Sequence, residues 1–431
     1  MMRTVCIHGG DVEAWLAALF VSRKLQGLCE RVVVIASGDG EARGGAVTYP
    51  QSRSLLADLG LSEETLVREA DGAFLLGAQF GAAPGYVTAF GSYGAPANSV
   101  PFHHYWTRLK EAGRAAPFDA YSLGAEMARH GRFVHPSNDP KRLESSFGYG
   151  LALDQTQLAA LVEGKARAAG VEVSGAPLED AWLQIDVRAL AGEALVPWAD
   201  LPPMAGKTLD SLDQRAPNLS CWKIEGSPDA LLVSLPSRSR THRMILGAEN
   251  KQSAGRVAEP WTGNMVSIGR ASHRLPGAMQ TDLLVLLAQL DLLASLLPAE
   301  GQPLEIVANE YNRRATRMMD YVADMEALVM GAGRGERDIS SPSLARRIEQ
   351  FRSRGRIVTY DDELFSEQDW IAALIGFAGM PERVSPLALG APIDAVAHNY
   401  DGFRQAVGRA VSRLPDQQTY LDHLLETAGV S

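Results

Sequence analysis

Cysteine is scarce in this sequence, and its scarcity excludes two kinds of structure. The chain of 431 residues has three cysteines, Cys6, Cys29 and Cys221, at wide spacing. They are too few and too scattered for a disulfide framework or a cysteine metal site. We therefore expect each of them to be a small, buried apolar residue.

An excess of positive charge and a long apolar run are lacking as well. The 41 lysines and arginines are outnumbered by 51 aspartates and glutamates, for a formal net charge of -10. This balance supplies no overall basic field for nucleic-acid binding. The longest apolar run, 283–297, contains polar breaks, and the first residues lack the pattern of a secretory leader. We expect no membrane segment and place the protein in the cytoplasm.

The first 36 residues predict the start of an α/β fold. Residues 4–8 are short and apolar, residues 12–25 carry apolar side chains at helical spacing, and residues 31–36 form a β-branched run. This order is typical of a strand, a helix and a second parallel strand, as in nucleotide-binding sheets.

The turn between the first strand and the helix departs from a dinucleotide-binding turn. In the form G-x-G-x-x-G, the first glycine permits the bend, the second admits the pyrophosphate, and the third packs helix against strand. Here Gly9 and Gly10 are followed by Asp11 in the second glycine position and by Ala14 in the third. Asp11 adds bulk and negative charge where a pyrophosphate approaches. Asp11 and Glu13 are also residue types that cap a helix and favour its dipole, which is the structural interpretation.

The end of the second strand also lacks an expected group. An acidic residue there normally binds the adenosine ribose hydroxyls. The strand ends at Ala36, which has no side-chain acceptor, and Ser37 is either a weak substitute or the start of a glycine-rich turn.

Three further stretches carry a resemblance that runs from Val5 to about Leu414. They are FGSYGAPANSVPFHHYWTRL (90–109), EYNRRATRMMDYVADMEALVMG (310–331) and the segment 346–388. In their order and spacing they resemble the flavin-dependent tryptophan halogenase family, which belongs with the FAD monooxygenases. The resemblance implies that the protein binds reduced FAD, which a separate reductase supplies. It also implies that oxygen converts the flavin to a hydroperoxide, that halide attack on this hydroperoxide gives hypohalous acid, and that the acid reaches a lysine beside an aromatic substrate.

The resemblance also implies an organisation of the chain. A Rossmann-type, FAD-binding-like layer within residues 1–300 is assembled from pieces 1–75, 145–180 and 260–300. A substrate-side region with a mixed sheet is built from 80–140 and 183–256. Residues 303–431 form a helical C-terminal part.

The lysine of the family falls on a leucine. The family stretch F-K-L-G-x-x-F corresponds to residues 74–80, with Leu75 in the lysine position. Leucine has no amine with which to hold or activate hypohalous acid. The alternative is structural: Phe74, Leu76 and Phe80 are one face of a core strand.

Other family contacts are changed too. The tryptophan motif W-x-W-x-I-P is reduced to Trp222, which is either a core aromatic or a flavin shield. The family's Gly-Asp pair, whose aspartate meets the ribityl chain, corresponds to Gly269 and Arg270. The helix start S-T-G-I corresponds to residues 280–283, in which Asp282 disfavours a nearby anion.

Several polar groups remain as candidates for another chemistry. His103 and His104 either serve structure or form the floor of the substrate region. The three acidic residues 361–363 are adjacent in sequence, a spacing that does not direct their side chains towards one point. We therefore predict a solvated loop or helix cap and no metal site. Two basic sets either bind a phosphate or an acidic partner or are solvated faces. They comprise Arg238, Arg240, His242 and Arg243, and Arg334, Arg337, Arg346 and Arg347.

The leading hypothesis is a halogenase-like pseudoenzyme with weak or no FAD binding. It acts as a binding or partner protein, pairing with an active halogenase homologue or holding a small aromatic or peptide ligand. The alternative is an active FAD-dependent monooxygenase or halogenase on an indole-like substrate, with unusual cofactor contacts around Gly9, Gly10 and residues 44–45. A flavin reductase is a partner only in that case.

Overall fold

The computed structural model describes most of the chain. The described residues are 3–36, 44–81, 85–178, 180–190, 195–203, 205–213, 220–227, 230–247, 252–297, 304–331 and 339–428. Within them the fold is α/β, as predicted.

The strands are numbered in chain order. They are β1 Thr4–His8, β2 Arg31–Ile35, β3 Gly45–Thr48, β4 Ala73–Leu75, β5 Gly77–Phe80, β6 Tyr86–Ala89, β7 Gly150–Asp154, β8 Glu172–Ser174, β9 Leu183–Asp186, β10 Val196–Pro197, β11 Ala205–Leu212, β12 Trp222–Ser227, β13 Ala230–Pro236, β14 Thr241–Gly247, β15 Gly255–Arg256, β16 Trp261–Thr262, β17 Met265–Ser267 and β18 His273–Arg274.

The helices are numbered in the same way. They are α1 Val12–Lys24, α2 Arg53–Asp58, α3 Glu63–Glu69, α4 Phe102–Glu111, α5 Leu123–Arg129, α6 Gln155–Ala168, α7 Asp282–Leu296, α8 Leu304–Met330, α9 Pro342–Arg354, α10 Glu367–Phe377, α11 Pro386–Leu389, α12 Ile393–Val411 and α13 Gln417–Ala428.

A first sheet carries the nucleotide-binding topology. Its strand order is β16-β17-β9-β1-β2-β8, and β1 runs parallel to both β2 and β9. The strands at its centre are almost entirely buried, which explains their continuous apolar sequence. The sheet corrects one boundary: β9 pairs with β1, whereas the sequence places residues 183–256 on the substrate side.

A second sheet of order β11-β14-β13-β12-β5-β6 is mixed. Strand β12 is parallel to β5, and the other pairs are antiparallel. Strands β3, β7 and β4 form a separate small antiparallel sheet, in which β7 lies between the other two. A mixed sheet was expected from the resemblance.

The helices after residue 303 form the C-terminal part, again as predicted. Helix α7 is apolar on nearly all sides because it is packed against α1, α8 and β3. Among the described residues, none of the helices combines the length and apolar character needed to span a bilayer.

Candidate functional site

The turn between β1 and α1 keeps the first glycine for a packing reason. Gly9 has φ +151° and donates its N–H to the carbonyl of Ile35 at 3.2 Å. A Cβ at this position would lie 2.9 Å from Val187 Cγ2 and 3.0 Å from Ala14 Cβ. Gly10 is exposed. The close approach of strand and helix therefore survives, whatever the turn binds.

Asp11 occupies the helix N-terminus at this turn. Its Oδ1 accepts the N–H groups of Glu13 at 3.1 Å and Ala14 at 3.3 Å, and it is the N-cap of α1. This confirms the capping interpretation. The free backbone donors of a helix N-terminus are what an anionic phosphate uses. Here this chain's own carboxylate uses two of them.

Arg270 lies directly against this carboxylate. It follows Gly269, which begins the 3-10 turn Gly269–Ala271 with φ +59°. The guanidinium forms an ion pair with Asp11 and contacts Glu13 Oε1 through Nε at 2.9 Å. The backbone N–H of Arg270 donates to Glu13 Oε2 at 3.2 Å. We call Asp11, Glu13 and Arg270 the Arg270 cluster.

Glu13 is the most buried member of the Arg270 cluster. Its side chain is 3% exposed, against 37% for that of Arg270. Burial raises the pKa of Glu13 well above its usual range, the nearby charge of Asp282 adds to this, and the Arg270 N–H opposes it. A Cβ on Gly269 would collide with Glu13 Oε2, so the glycine is required for this contact.

A cavity of about 320 Å³ adjoins the Arg270 cluster, and we call it the central cavity. Its lining comes from the start of α1, the loop before α7, the first turn of α7, and strands β3, β13 and β14. Its lining includes Glu13, Gly44, Gly45, Gln155, His242, Arg243, Arg270, Gln280 and Asp282.

The position of the missing acid at the ribose end is occupied by Ala36. Ala36 is exposed at the carboxyl end of β2, and its N–H donates to the carbonyl of Ser174 at 3.3 Å. Ser37, the weak substitute considered above, lies outside the described residues.

Leu75 is buried in the core and is not among the residues that line the central cavity. It is 0% exposed, as are Phe74 and Leu76. The structural alternative was right about the burial of Phe74 and Leu76, whereas Phe80 is only partly buried, and it was wrong about a single strand. The chain leaves the β3-β7-β4 sheet after Leu75 and enters the second sheet at Gly77, so Phe80 belongs to a different sheet.

Trp222 lies beside a small aromatic pocket. Its ring centroid is 6.1 Å from those of Tyr49 and Phe90, and its Nε1 donates to the carbonyl of Ala278 at 3.2 Å. The pocket that it lines with Met279 and other residues measures about 20 Å³. That volume is near the minimum for one water molecule, so an indole ring has no room there.

The loop before α7 is held by a residue that the sequence interpretation missed. Glu326 of α8 is 0% exposed, and its carboxylate accepts the N–H groups of Ala278 at 2.5 Å and Met279 at 3.1 Å. Burial raises the pKa of Glu326 to about 7, against these hydrogen bonds. A charged residue four positions after Val322 and seven after Met319, on a buried helix face, is the pattern that could have revealed it.

His103 and His104 tie α4 to the C-terminal part. His103 Nε2 is 2.6 Å from the carbonyl of Gly355, and His104 Nδ1 accepts the N–H of Ser385 at 3.2 Å. Both rings are buried, and neither is among the residues that line the central cavity. The structural alternative for these histidines is therefore the better one.

These histidines give a first prediction. Burial lowers the pKa of both, to about 4 for His104, where His103 adds to the effect. Because the folded state prefers the neutral ring, their stabilisation is present above the unfolded pKa of about 6.5 and is lost as the pH falls towards 4. We expect His104 to account for a loss of about 1–2 kcal/mol between pH 7 and pH 5. Urea unfolding at both pH values measures it.

The control for this prediction is His130, an exposed histidine on the surface. His104→Gln should flatten the acid slope of the free energy of unfolding, and His130→Gln should leave it unchanged. An equal slope in the wild type and in His104→Gln would show that His104 does not set it.

The acidic run 361–363 proves to be partly buried and paired with arginines. Asp362 Oδ1 is 2.8 Å from Arg314 Nε, and Glu363 Oε1 is 2.6 Å from Arg347 Nη2. The prediction of a solvated loop or cap was wrong for these two residues, since their side chains are 7% and 2% exposed. No cluster of metal-ligating side chains occurs among the described residues.

Several arginines of the two basic sets form ion pairs. Arg238 lies 3.5 Å from Asp71, Arg240 lies 3.6 Å from Asp154, and Arg347 pairs with Glu363. Arg334 and Arg337 lie outside the described residues. The cysteines are free: Cys6 and Cys221 are buried as expected, and Cys29 is partly exposed.

Comparison with known proteins fits this architecture. The fold matches that of BrvH, a flavin-dependent halogenase from Brevundimonas sp. BAL3, with a TM-score of 0.88, 22% identity, and coverage of 98% of this chain and 99% of that one. It also matches Xcc4156, a flavin-dependent halogenase from Xanthomonas campestris, with a TM-score of 0.85, 21% identity and coverage of 98% of each chain. The chain thus has the fold of the flavin-dependent halogenases.

Family membership follows from the sequence. The family model for tryptophan halogenase matches residues 4–188 and 237–392. The chain belongs to the tryptophan halogenase family. A further structural match is SttH, a tryptophan 6-halogenase from Streptomyces toxytricini, at a TM-score of 0.82, 17% identity and coverage of 98% of this chain and 100% of that one. No curated protein matches the chain.

Proposed function

We propose that this protein is a tryptophan halogenase family member without halogenase activity. It binds FAD weakly or not at all and acts as a cytoplasmic binding or partner protein. The observation that carries this proposal is the Arg270 cluster. In it, Asp11 accepts two N–H groups at the start of α1, and Arg270 forms an ion pair with Asp11.

The residues present do not fit the FAD that the family implies. A diphosphate at this turn would have to displace Asp11 from two hydrogen bonds and separate it from Arg270. It would also approach Glu13 and Asp282, two carboxylates close enough for the charge of Asp282 to raise the pKa of Glu13. Ala36 offers no acceptor at the ribose end. These effects all disfavour the cofactor.

The halogenation route is disfavoured independently of the cofactor. The lysine position holds Leu75, which is fully buried, and the aromatic pocket near Trp222 is too small for an indole ring. The chain retains the family's fold and has a helical C-terminal part. Within this proposal the protein pairs with an active homologue, or its central cavity holds a small aromatic or peptide ligand.

A second candidate function is an active FAD-dependent monooxygenase or halogenase on an indole-like substrate. The observation that favours it is the central cavity of about 320 Å³, whose lining includes Gly44 and Gly45. In this case backbone groups hold the flavin and a separate reductase is the partner.

An absorption spectrum and a FAD titration of the purified protein separate these functions. We expect a colourless protein with a Kd for FAD above about 100 µM, since each lost contact costs about 1 kcal/mol. The variant Asp11→Gly/Glu13→Ala/Arg270→Asp restores small groups at the turn and a carboxylate after Gly269. It should bind FAD at least about tenfold more tightly.

The controls define the opposite result. Arg313→Ala, which removes an exposed ion pair with Glu310, should leave FAD binding as in the wild type. A yellow wild-type protein, or one that binds FAD with micromolar affinity, contradicts the proposal. Oxygen-dependent turnover of indole-like substrates with a reductase would establish the second candidate.

A further inference from the structure

A surface at the end of α9 combines exposed positive charge with exposed apolar side chains. We propose that this surface docks on an anionic lipid bilayer, with its arginines at the head groups and its leucines inserted between them. We call it the α9–α11 surface, and it consists of Arg352, Arg354, Arg356, Arg383, Leu387 and Leu389. The inference goes beyond the proposed function and does not depend on FAD binding.

The two segments that form the α9–α11 surface are in direct contact. The N–H of Glu382 donates to the carbonyl of Arg352 at 2.7 Å. Gly355, the left-handed residue that ends α9, packs against the same segment, since a Cβ on it would lie 3.4 Å from Pro381 Cβ. The segment 381–389, which leads into α11, therefore starts beside the last turn of α9.

The four arginines of the surface carry unpaired charge. All are exposed, and none has an ion-pair or side-chain hydrogen-bond partner among the described residues. Segments 352–356 and 381–389 contain one acidic residue, Glu382, which leaves a surplus of three positive charges in a chain of net charge -10. The helix dipole accounts for the two arginines in the last turn of α9. It does not account for Arg356 and Arg383, which lie outside the helix.

Two leucines of α11 lie next to this charge. Leu387 is 68% exposed and Leu389 is 59% exposed, whereas Ala388 between them is buried. The turn is fixed from the protein side, because Arg108 donates to the carbonyl of Ala388 and to that of Ala391, the latter at 2.9 Å. The two leucines are thus held in solvent by an anchored turn. Apolar side chains beside basic ones are typical of proteins that bind at a membrane interface.

The residue types favour lipid over an acidic protein as the partner. Energetic centres of protein interfaces are enriched in tryptophan, tyrosine and arginine and are poor in leucine. Leucine is among the residues that enter a bilayer most favourably, and each arginine near an anionic leaflet strengthens binding about fivefold. The negative charge of the rest of the chain is screened beyond about 8 Å at physiological ionic strength, so the local surplus of positive charge acts at the contact.

Co-sedimentation of the full chain with lipid vesicles tests the inference. At about 0.1 M salt, phosphatidylcholine vesicles with about 30% phosphatidylglycerol should bind the protein at least about tenfold more strongly than pure phosphatidylcholine vesicles. Raising the salt to about 0.5 M should remove most of the difference. Arg354→Glu/Arg356→Glu should weaken binding to the anionic vesicles at least about tenfold, and Leu387→Ser/Leu389→Ser at least about fivefold.

The matched control is Arg409→Glu/Arg413→Glu. It makes the same change in net charge at two exposed arginines near the end of α12, neither of which has an ion-pair partner in the part of the chain that the structure describes. Arg409 lies roughly 24 Å along α12 from the start of this helix, which follows α11. This variant should bind the anionic vesicles as the wild type does, and thermal unfolding checks that all variants are folded.

Several results would overturn the inference. They are equal binding to both kinds of vesicle, no vesicle binding at millimolar lipid, binding that either pair of substitutions in the surface leaves unchanged, or an equal loss in the control. Tighter binding to soluble poly-L-glutamate than to anionic vesicles would assign the surface to an acidic protein and would also overturn it. A protein that binds neither FAD nor vesicles contradicts only this inference, whereas one that binds both contradicts only the proposed function.

Discussion

Replacing Arg270 with alanine is expected to lower the free energy of unfolding by about 2–4 kcal/mol at pH 7. The change leaves Asp11 and the buried Glu13 without their cation, and Asp282 adds further repulsion to Glu13. The estimate is below that for a fully buried pair because the side chain of Arg270 is 37% exposed and solvent screens part of its charge. Urea unfolding of the wild type and the variant measures the difference.

The pH dependence distinguishes a charge effect from a loss of packing. The folded pKa of Glu13 is already raised, and loss of Arg270 should raise it further. A carboxyl with a raised folded pKa stabilises the fold below its unfolded pKa of about 4.3, and this is lost as the pH rises through the folded value. The deficit of Arg270→Ala should therefore shrink towards pH 5.

Two variants complete this experiment. Glu13→Gln should recover part of the lost stability when it is combined with Arg270→Ala, because it removes the buried unpaired charge. Arg313→Ala breaks a pair in which both side chains are more than 40% exposed, and should cost no more than about 1 kcal/mol. A deficit that is equally large at pH 5 and pH 8 would mean that the Arg270 cluster acts through packing alone.

Local features of this site could be predicted from the sequence. The strand, helix and strand at residues 4–35 follow from apolar periodicity, and the cap by Asp11 involves backbone groups only two and three positions away. Such interactions depend on neighbours in sequence, so residue types and spacing determine them.

The pairing of Arg270 with Glu13 could not be predicted in this way. The two residues are 257 positions apart, and contact between them depends on β17 and β1 lying in one sheet. From the sequence, Asp11 and Arg270 are two separate losses of cofactor contacts. In the structure they compensate each other. The same limit applies to Asp362 and Glu363, whose arginine partners come from α8 and α9.

The strand around Leu75 shows a sequence feature that could have been used better. Gly77 has φ +148°, and a Cβ there would collide with the backbone of Thr88. A glycine inside an apolar strand pattern often marks a bend or a close backbone approach. The pattern F-L-L-G therefore predicts a change of sheet after Leu76 better than one continuous strand.

Replacing Glu326 with leucine is expected to have the other large effect, a loss of about 3–5 kcal/mol. It leaves the N–H groups of Ala278 and Met279 buried without an acceptor, in a loop that Tyr49 also holds through its hydroxyl and the Met279 carbonyl at 2.5 Å. Glu326→Gln keeps one acceptor oxygen and should lose about 1–3 kcal/mol. Denaturant unfolding at pH 7 ranks the variants.

The charge of Glu326 makes the stability of the wild type depend on pH, and the glutamine variant removes this pH dependence. Because its folded pKa of about 7 lies above the unfolded value of about 4.3, the wild type should lose stability relative to Glu326→Gln as the pH rises from 5 to 8. Tyr311→Phe is the matched control on the same helix, since its buried hydroxyl has no hydrogen-bond partner among the described residues. It should change stability by less than about 0.5 kcal/mol. If Glu326→Leu is no less stable than Tyr311→Phe, the loop before α7 is held by Tyr49 and Trp222 instead.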